Sequence, residues 1–126
     1  MWKAEQAPAP VAEYGGGESY SLPVEHGRKR ICVHATAGFI PNALRGFRAE
    51  VAFLGIGTRG NKDKDYREDY RREVVEAVSP RRIIPIHWDN FWRPLDRRPV
   101  PMGFPLDDFH TTMEFLQGRG NEPAWK

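Results

Sequence analysis

Ile83-Ile84-Pro85-Ile86-His87-Trp88-Asp89-Asn90-Phe91-Trp92 is the stretch on which the reading of this sequence turns. Residues 83–86 are a short apolar run that follows Ser79-Pro80-Arg81-Arg82, too brief for a helix, so the pattern predicts a buried strand. The strand ends directly on an imidazole, and a carboxylate and large aromatics come next. In parallel α/β sheets, ligands collect at the carboxyl ends of strands. A neutral imidazole there can give one nitrogen to a metal while a nearby carboxylate orients the ring through the other. His87 is therefore the candidate metal ligand and Asp89 the group expected to orient it. Trp88, Phe91 and Trp92 are expected to wall the pocket and exclude water. The alternative is a strand-end histidine bonded to backbone, and spacing alone favours it, because one imidazole does not make a metal site.

The segments around this run give it a setting. Upstream, Tyr66, Tyr70, Val74, Ala77 and Val78 recur at spacings of three and four, with acids early and Ser79-Pro80 as the stop, which predicts a helix from Asp63 or Asp65. Its charged residues, Arg67, Arg71 and Arg72 among Glu68, Asp69, Glu73 and Glu76, read as a solvent face with i,i+4 pairs. Before the helix, Val51 to Ile56 reads as a strand buried on both faces, so residues 51–86 form a strand-helix-strand unit with a right-handed crossover. Further back, Tyr20, Leu22 and Val24 alternate with Ser19, Ser21 and Glu25. Pro23 marks this strand as an edge or a bulge, and it turns at Gly27-Arg28 into a return strand, Arg30 to His34. Ala43-Leu44-Arg45 follows Pro41 as one short helical turn. Downstream, Leu106, Phe109, Met113 and Leu116 mark an amphipathic helix from about Asp107 to Gln117, ended by Gly118 and Gly120. Residues 1–13 read as an extended lead-in and 118–126 as a tail, leaving 14–117 as the folded part.

Composition narrows the function classes. A chain of 126 residues with 40% hydrophobic residues has the material for one core. Its mean hydropathy of -0.64, with 11 Pro and 12 Gly, implies short elements and long connections. The 19 basic and 17 acidic residues are interspersed, so no basic stripe points to nucleic acid. Cys32 is alone, which excludes an internal disulfide, and its apolar strand implies a buried, inert thiol. No apolar run is long enough to span a bilayer, and no leader pattern opens the chain, so the expected setting is cytoplasmic.

Four stretches together resemble the second half of metallo-β-lactamase-fold hydrolases. They are Tyr14-Gly-Gly-Gly-Glu-Ser-Tyr-Ser-Leu through Val24-Glu-His-Gly, Ile31-Cys-Val-His-Ala-Thr-Ala-Gly-Phe-Ile, Ala49-Glu-Val-Ala-Phe-Leu-Gly-Ile-Gly, and Arg82-Ile-Ile-Pro-Ile-His-Trp-Asp-Asn-Phe. The last is the specific one, since it resembles the strand end that supplies the family's final histidine ligand. The resemblance implies half of an αββα sandwich and a metal-dependent hydrolase acting on a small-molecule substrate. It also implies that His87 binds one metal, usually zinc.

The departures are as informative. The family's main metal motif, His-x-His-x-Asp-His, is absent, and His26, His34, His87 and His110 are each isolated. His34-Ala35-Thr36-Ala37-Gly38 stands where the family places further ligands, yet it contains no carboxylate. His34 is a secondary candidate ligand, with a backbone-bonded histidine as the more frequent meaning. The chain alone is therefore expected to be inactive, as part of a hydrolase completed by a complementary N-terminal half. The rival class is a non-enzymatic half-domain that acts as an interaction module and covers its sheet by forming a homodimer. A third reading rests on Gly55-Ile-Gly57-Thr-Arg-Gly60, a Gly-x-Gly-x-x-Gly between strand and helix, as in dinucleotide-binding folds. Against it, residues 61–65 separate Gly60 from the first periodic helical position, so the glycines do not open the helix.

Overall fold

The structure is a computed structural model that describes residues 19–117. The expected lead-in (1–13), the tail (118–126) and residues 14–18 lie outside the described residues.

Strands β1 (Ser21–His26) and β2 (Lys29–His34) form the expected antiparallel hairpin, with Gly27 at φ 56 supplying the left-handed turn. β2 then pairs in parallel with β3 (Val51–Gly55), and β3 in parallel with β4 (Arg82–Ile86), giving the order β1-β2-β3-β4. Pro23 lies on one edge strand and Pro85 on the other, where a missing N–H need not break a ladder. Between β2 and β3, residues 41–46 form turns rather than a helix, with Ala43 N–H donating to Ile40 and Arg45 N–H to Asn42.

Between β3 and β4 runs the expected helix, α1 (Lys64–Tyr70), continued without a break by a π-helical stretch, Arg71–Glu76. Asp63 caps it, its carboxylate accepting the Tyr66 N–H at 2.8 Å. Ser79, at φ 51, and Pro80 end it. Its inward residues Tyr70, Val74, Val75 and Val78 cover Cys32, Ala52, Leu54 and Ile83, which alternate onto one face of the sheet. The surface pairs run mainly at i,i+3, Arg71 with Glu68 and Arg72 with Asp69, rather than at the expected i,i+4. The second helix, α2 (Phe109–Gln117), starts two residues later than the sequence suggests. Asp108 is its cap, the carboxylate accepting from Thr111 N–H at 3.0 Å and Thr111 Oγ1 at 2.7 Å.

The opposite face of the sheet departs from expectation. Register aligns Val24, Ile31 and Val51 in one row and Leu22, Val33, Phe53 and Ile84 in the next. Leu22 is 56% exposed and Val24 46%, and the others are only half-buried. β3 is thus buried on one face, through Ala52 and Leu54, and not on both. An apolar run reads the same whether one layer or two cover it, and here only the α1 side is covered among the described residues. A hollow of about 710 Å³ extends this face beside Ile84, Trp88 and Met113. The architecture is mixed α/β, a four-stranded sheet with two helices. Among the described residues no helix is long and apolar enough to cross a membrane.

Candidate functional site

Because β2, β3 and β4 run parallel, their carboxyl ends meet at one end of the sheet. The loops that leave them enclose a cavity of about 470 Å³, lined among others by Thr36, Gly57, Lys62, Tyr66, His87 and Asp107. His87 is the first residue past β4 and holds a left-handed backbone, φ 56. That conformation costs a non-glycine residue about 1–2 kcal/mol, so neighbouring backbone must hold it. Ile56 N–H donates to the Ile86 carbonyl at 3.0 Å, and Gly57 packs so closely that a Cβ there would lie 2.6 Å from the His87 carbonyl oxygen. The imidazole itself is exposed and makes no hydrogen bond among the described residues. It is a strand-end donor set at the cavity wall.

The expected companions divide. Trp88 and Phe91 line the cavity, Trp88 being braced on Phe109 with ring centroids 5.4 Å apart. Trp92 does not: it is 76% exposed and rests on the outer side of Phe91, 4.9 Å between centroids. Asp89 also lines the cavity but makes no hydrogen bond to His87. Its backbone instead bridges Pro101. The left-handed turn at His87 breaks the extended alternation that would set residues 87 and 89 side by side.

His34 is committed elsewhere. Its Nε2–H donates to the Gly38 carbonyl at 2.7 Å, which fixes Nδ1 as the acceptor from Ser21 Oγ, also at 2.7 Å. Both ring nitrogens are engaged, so as placed His34 offers none to a metal and instead ties β1 to the loop after β2. Burial pushes its pKa below the usual 6.5, against the opposing pull of the Gly38 bond. A base whose folded pKa is depressed gives stability that is intact above the unfolded pKa and is lost as pH falls towards the folded value. Urea unfolding should therefore show lower stability at pH 5 than at pH 7.5, with a smaller drop in His34→Gln, which keeps the donor to Gly38. Equal drops in the two proteins would assign the effect to other groups. Cys32 is fully buried and burial raises its thiol pKa, as expected of an inert thiol.

The three glycines of Gly55-Ile-Gly57-Thr-Arg-Gly60 each serve a close approach of backbone. A Cβ at Gly55 would lie 2.5 Å from the Ala35 carbonyl carbon, and one at Gly60 would lie 1.9 Å from the Asp108 carbonyl oxygen. With Gly57 against His87, the motif packs three segments around the cavity, and α1 begins only at Lys64. Dinucleotide binding needs the glycines at the helix start, and this geometry removes its basis.

Two charged residues that sequence reasoning passed over lie at or behind the site. Arg59 is fully buried, its guanidinium 3.2 Å from the Tyr70 ring centroid, with Nη2 donating to the Gly55 carbonyl at 2.8 Å. Its Nε and Nη1, the Tyr70 hydroxyl and Asp107 Oδ1 are buried without partners among the described residues. Asp107, 3% exposed, also lines the cavity. The only hint in sequence is that Asp107-Asp108 offers two carboxylates where one cap is needed. Among the described residues no group of three or more His, Cys, Asp or Glu side chains could hold a metal ion. His87 is thus a single donor, and the described residues do not make a zinc site by themselves.

Compared with known proteins, the chain matches no family model, no curated protein and no solved structure.

Proposed function

We propose that this chain forms the C-terminal half of a metal-dependent hydrolase domain of metallo-β-lactamase type, inactive alone, whose site is completed when a complementary N-terminal half covers its open sheet. His87 would give one ligand to a zinc-type metal, and the remaining ligands would come from the covering half. A small-molecule substrate would enter between the halves, against Trp88 and Phe91.

The observation that carries the reading is the uncovered apolar face, continuous over all four strands and ending beside the His87 cavity. A sheet needs cover on each apolar face, and burying a Val or Leu side chain fully stabilises by about 1.5–3 kcal/mol. The same face favours the second reading, a half-domain that pairs with another copy of itself. Both predict that the isolated chain self-associates or binds a hydrophobic dye, and that Leu22→Lys with Val24→Lys suppresses this without unfolding. Sedimentation and dye fluorescence check it. A monomer that binds no dye contradicts both, because its face is then already covered.

A further inference from the structure

We propose that Arg59 is a positioning residue for the His87 site: seated on Tyr70 in the core, it clamps the Gly55 carbonyl and so fixes the 55–60 loop on which the His87 turn rests. The inference rests on the reading of that cavity as the functional site.

Several observations converge. Arg59 is fully buried and stacks on the Tyr70 ring, yet it donates a hydrogen bond only through Nη2, leaving Nε and Nη1 without hydrogen-bond partners among the described residues. A buried cation in that condition is unfavourable for stability, and an apolar residue of similar volume is commonly neutral or better. What the guanidinium does hold is specific. The Gly55 carbonyl is the last of β3, and the next amide, Ile56 N–H, bonds the Ile86 carbonyl just before His87. Gly57 then abuts the His87 carbonyl, while Thr58 takes a left-handed backbone at φ 62. Two non-glycine residues in that conformation, Thr58 and His87, both line the cavity. Strain of this kind persists only where the surroundings over-determine it, and the Arg59 clamp on its Tyr70 platform is the element that reaches the loop from the core. Asp107, also buried, exerts a weak attraction on Arg59.

The test replaces Arg59 in the full chain and reads backbone exchange rather than metal binding. Arg59→Met together with Asp107→Asn, which leaves neither buried ionisable group without the other, should not lower the melting temperature, whereas Arg59→Met alone, which leaves Asp107 without a nearby cation, should lower it. Amide exchange at Ile56 and at position 59 should speed up about tenfold, the equilibrium factor of one lost hydrogen bond to a charged group, and the Gly57 and His87 amide shifts should move. Arg59→Lys, which keeps a cationic donor, should restore most of the protection. Failure of the double variant to fold, or lost protection spread evenly through β3, makes Arg59 a structural cation and overturns the proposal. Unchanged exchange in the loop overturns it as well. Because the readout is the backbone, a chain whose His87 binds no metal would contradict the functional reading while leaving this result intact.

Discussion

Replacing Gly60 by alanine is expected to destabilise the fold by about 3 kcal/mol or more, at the upper end of overpacking costs. The ideal Cβ would lie 1.9 Å from the Asp108 carbonyl oxygen and 2.6 Å from its carbon, and neither is the movable end of a side chain. Asp108 caps α2, and its carbonyl accepts the first helical bond, from Thr112 N–H at 3.2 Å. Relief of the clash must therefore shift the start of α2, which carries the buried Thr112 and Leu116. Gly103 is the control, since a Cβ there meets nothing within 4 Å. Gly103→Ala should stay within about 0.5 kcal/mol of the parent, as surface changes usually do. Urea unfolding of the two variants checks this, and similar values for both would mean that Gly60 does not carry the contact.

The contrast between these glycines shows what was legible in the sequence. Strand and helix positions follow from local periodicity, so β1, β2, β4 and α1 fall close to where alternation and three-four spacing place them. The Gly-x-Gly-x-x-Gly signal is local too, but its meaning is not. Gly55, Gly57 and Gly60 are needed because Ala35, His87 and Asp108 approach from distant parts of the chain. Burial of β3 on both faces was the wrong inference from a continuous apolar run, because such a run does not record how many layers cover it. At the cavity, the position of His87 on the wall was legible from its place directly after a strand. Arg59 and Asp107 were not, since charged loop residues are mostly exposed and their burial is decided by tertiary packing. Trp92 failed as a wall residue for a related reason: adjacent aromatics in a loop do not share a side.

The second large effect concerns His87 itself. Its imidazole is exposed at the cavity, free of protein hydrogen bonds among the described residues, and its backbone is held in a left-handed turn by Gly57 and the Ile56–Ile86 bond. A donor fixed in this way should bind a divalent transition metal ahead of the chain's other exposed histidines. His26 ends an edge strand, and His110 is engaged with Glu114 at 3.0 Å. Substitution by alanine should remove this preference and weaken first binding at least about tenfold, the smaller end of what loss of a metal-site group costs. It should leave the fold intact, because the side chain packs against little.

The most direct measurement is a cobalt(II) titration of the isotopically labelled chain and of His87→Ala, followed by paramagnetic broadening of amide and imidazole signals. The account predicts that broadening in the parent begins at His87 and Gly57, spreads to the cavity residues Asp89 and Asp107, and disappears from all of them in His87→Ala. Broadening that starts at His26 or His110, and is the same in both proteins, would contradict it.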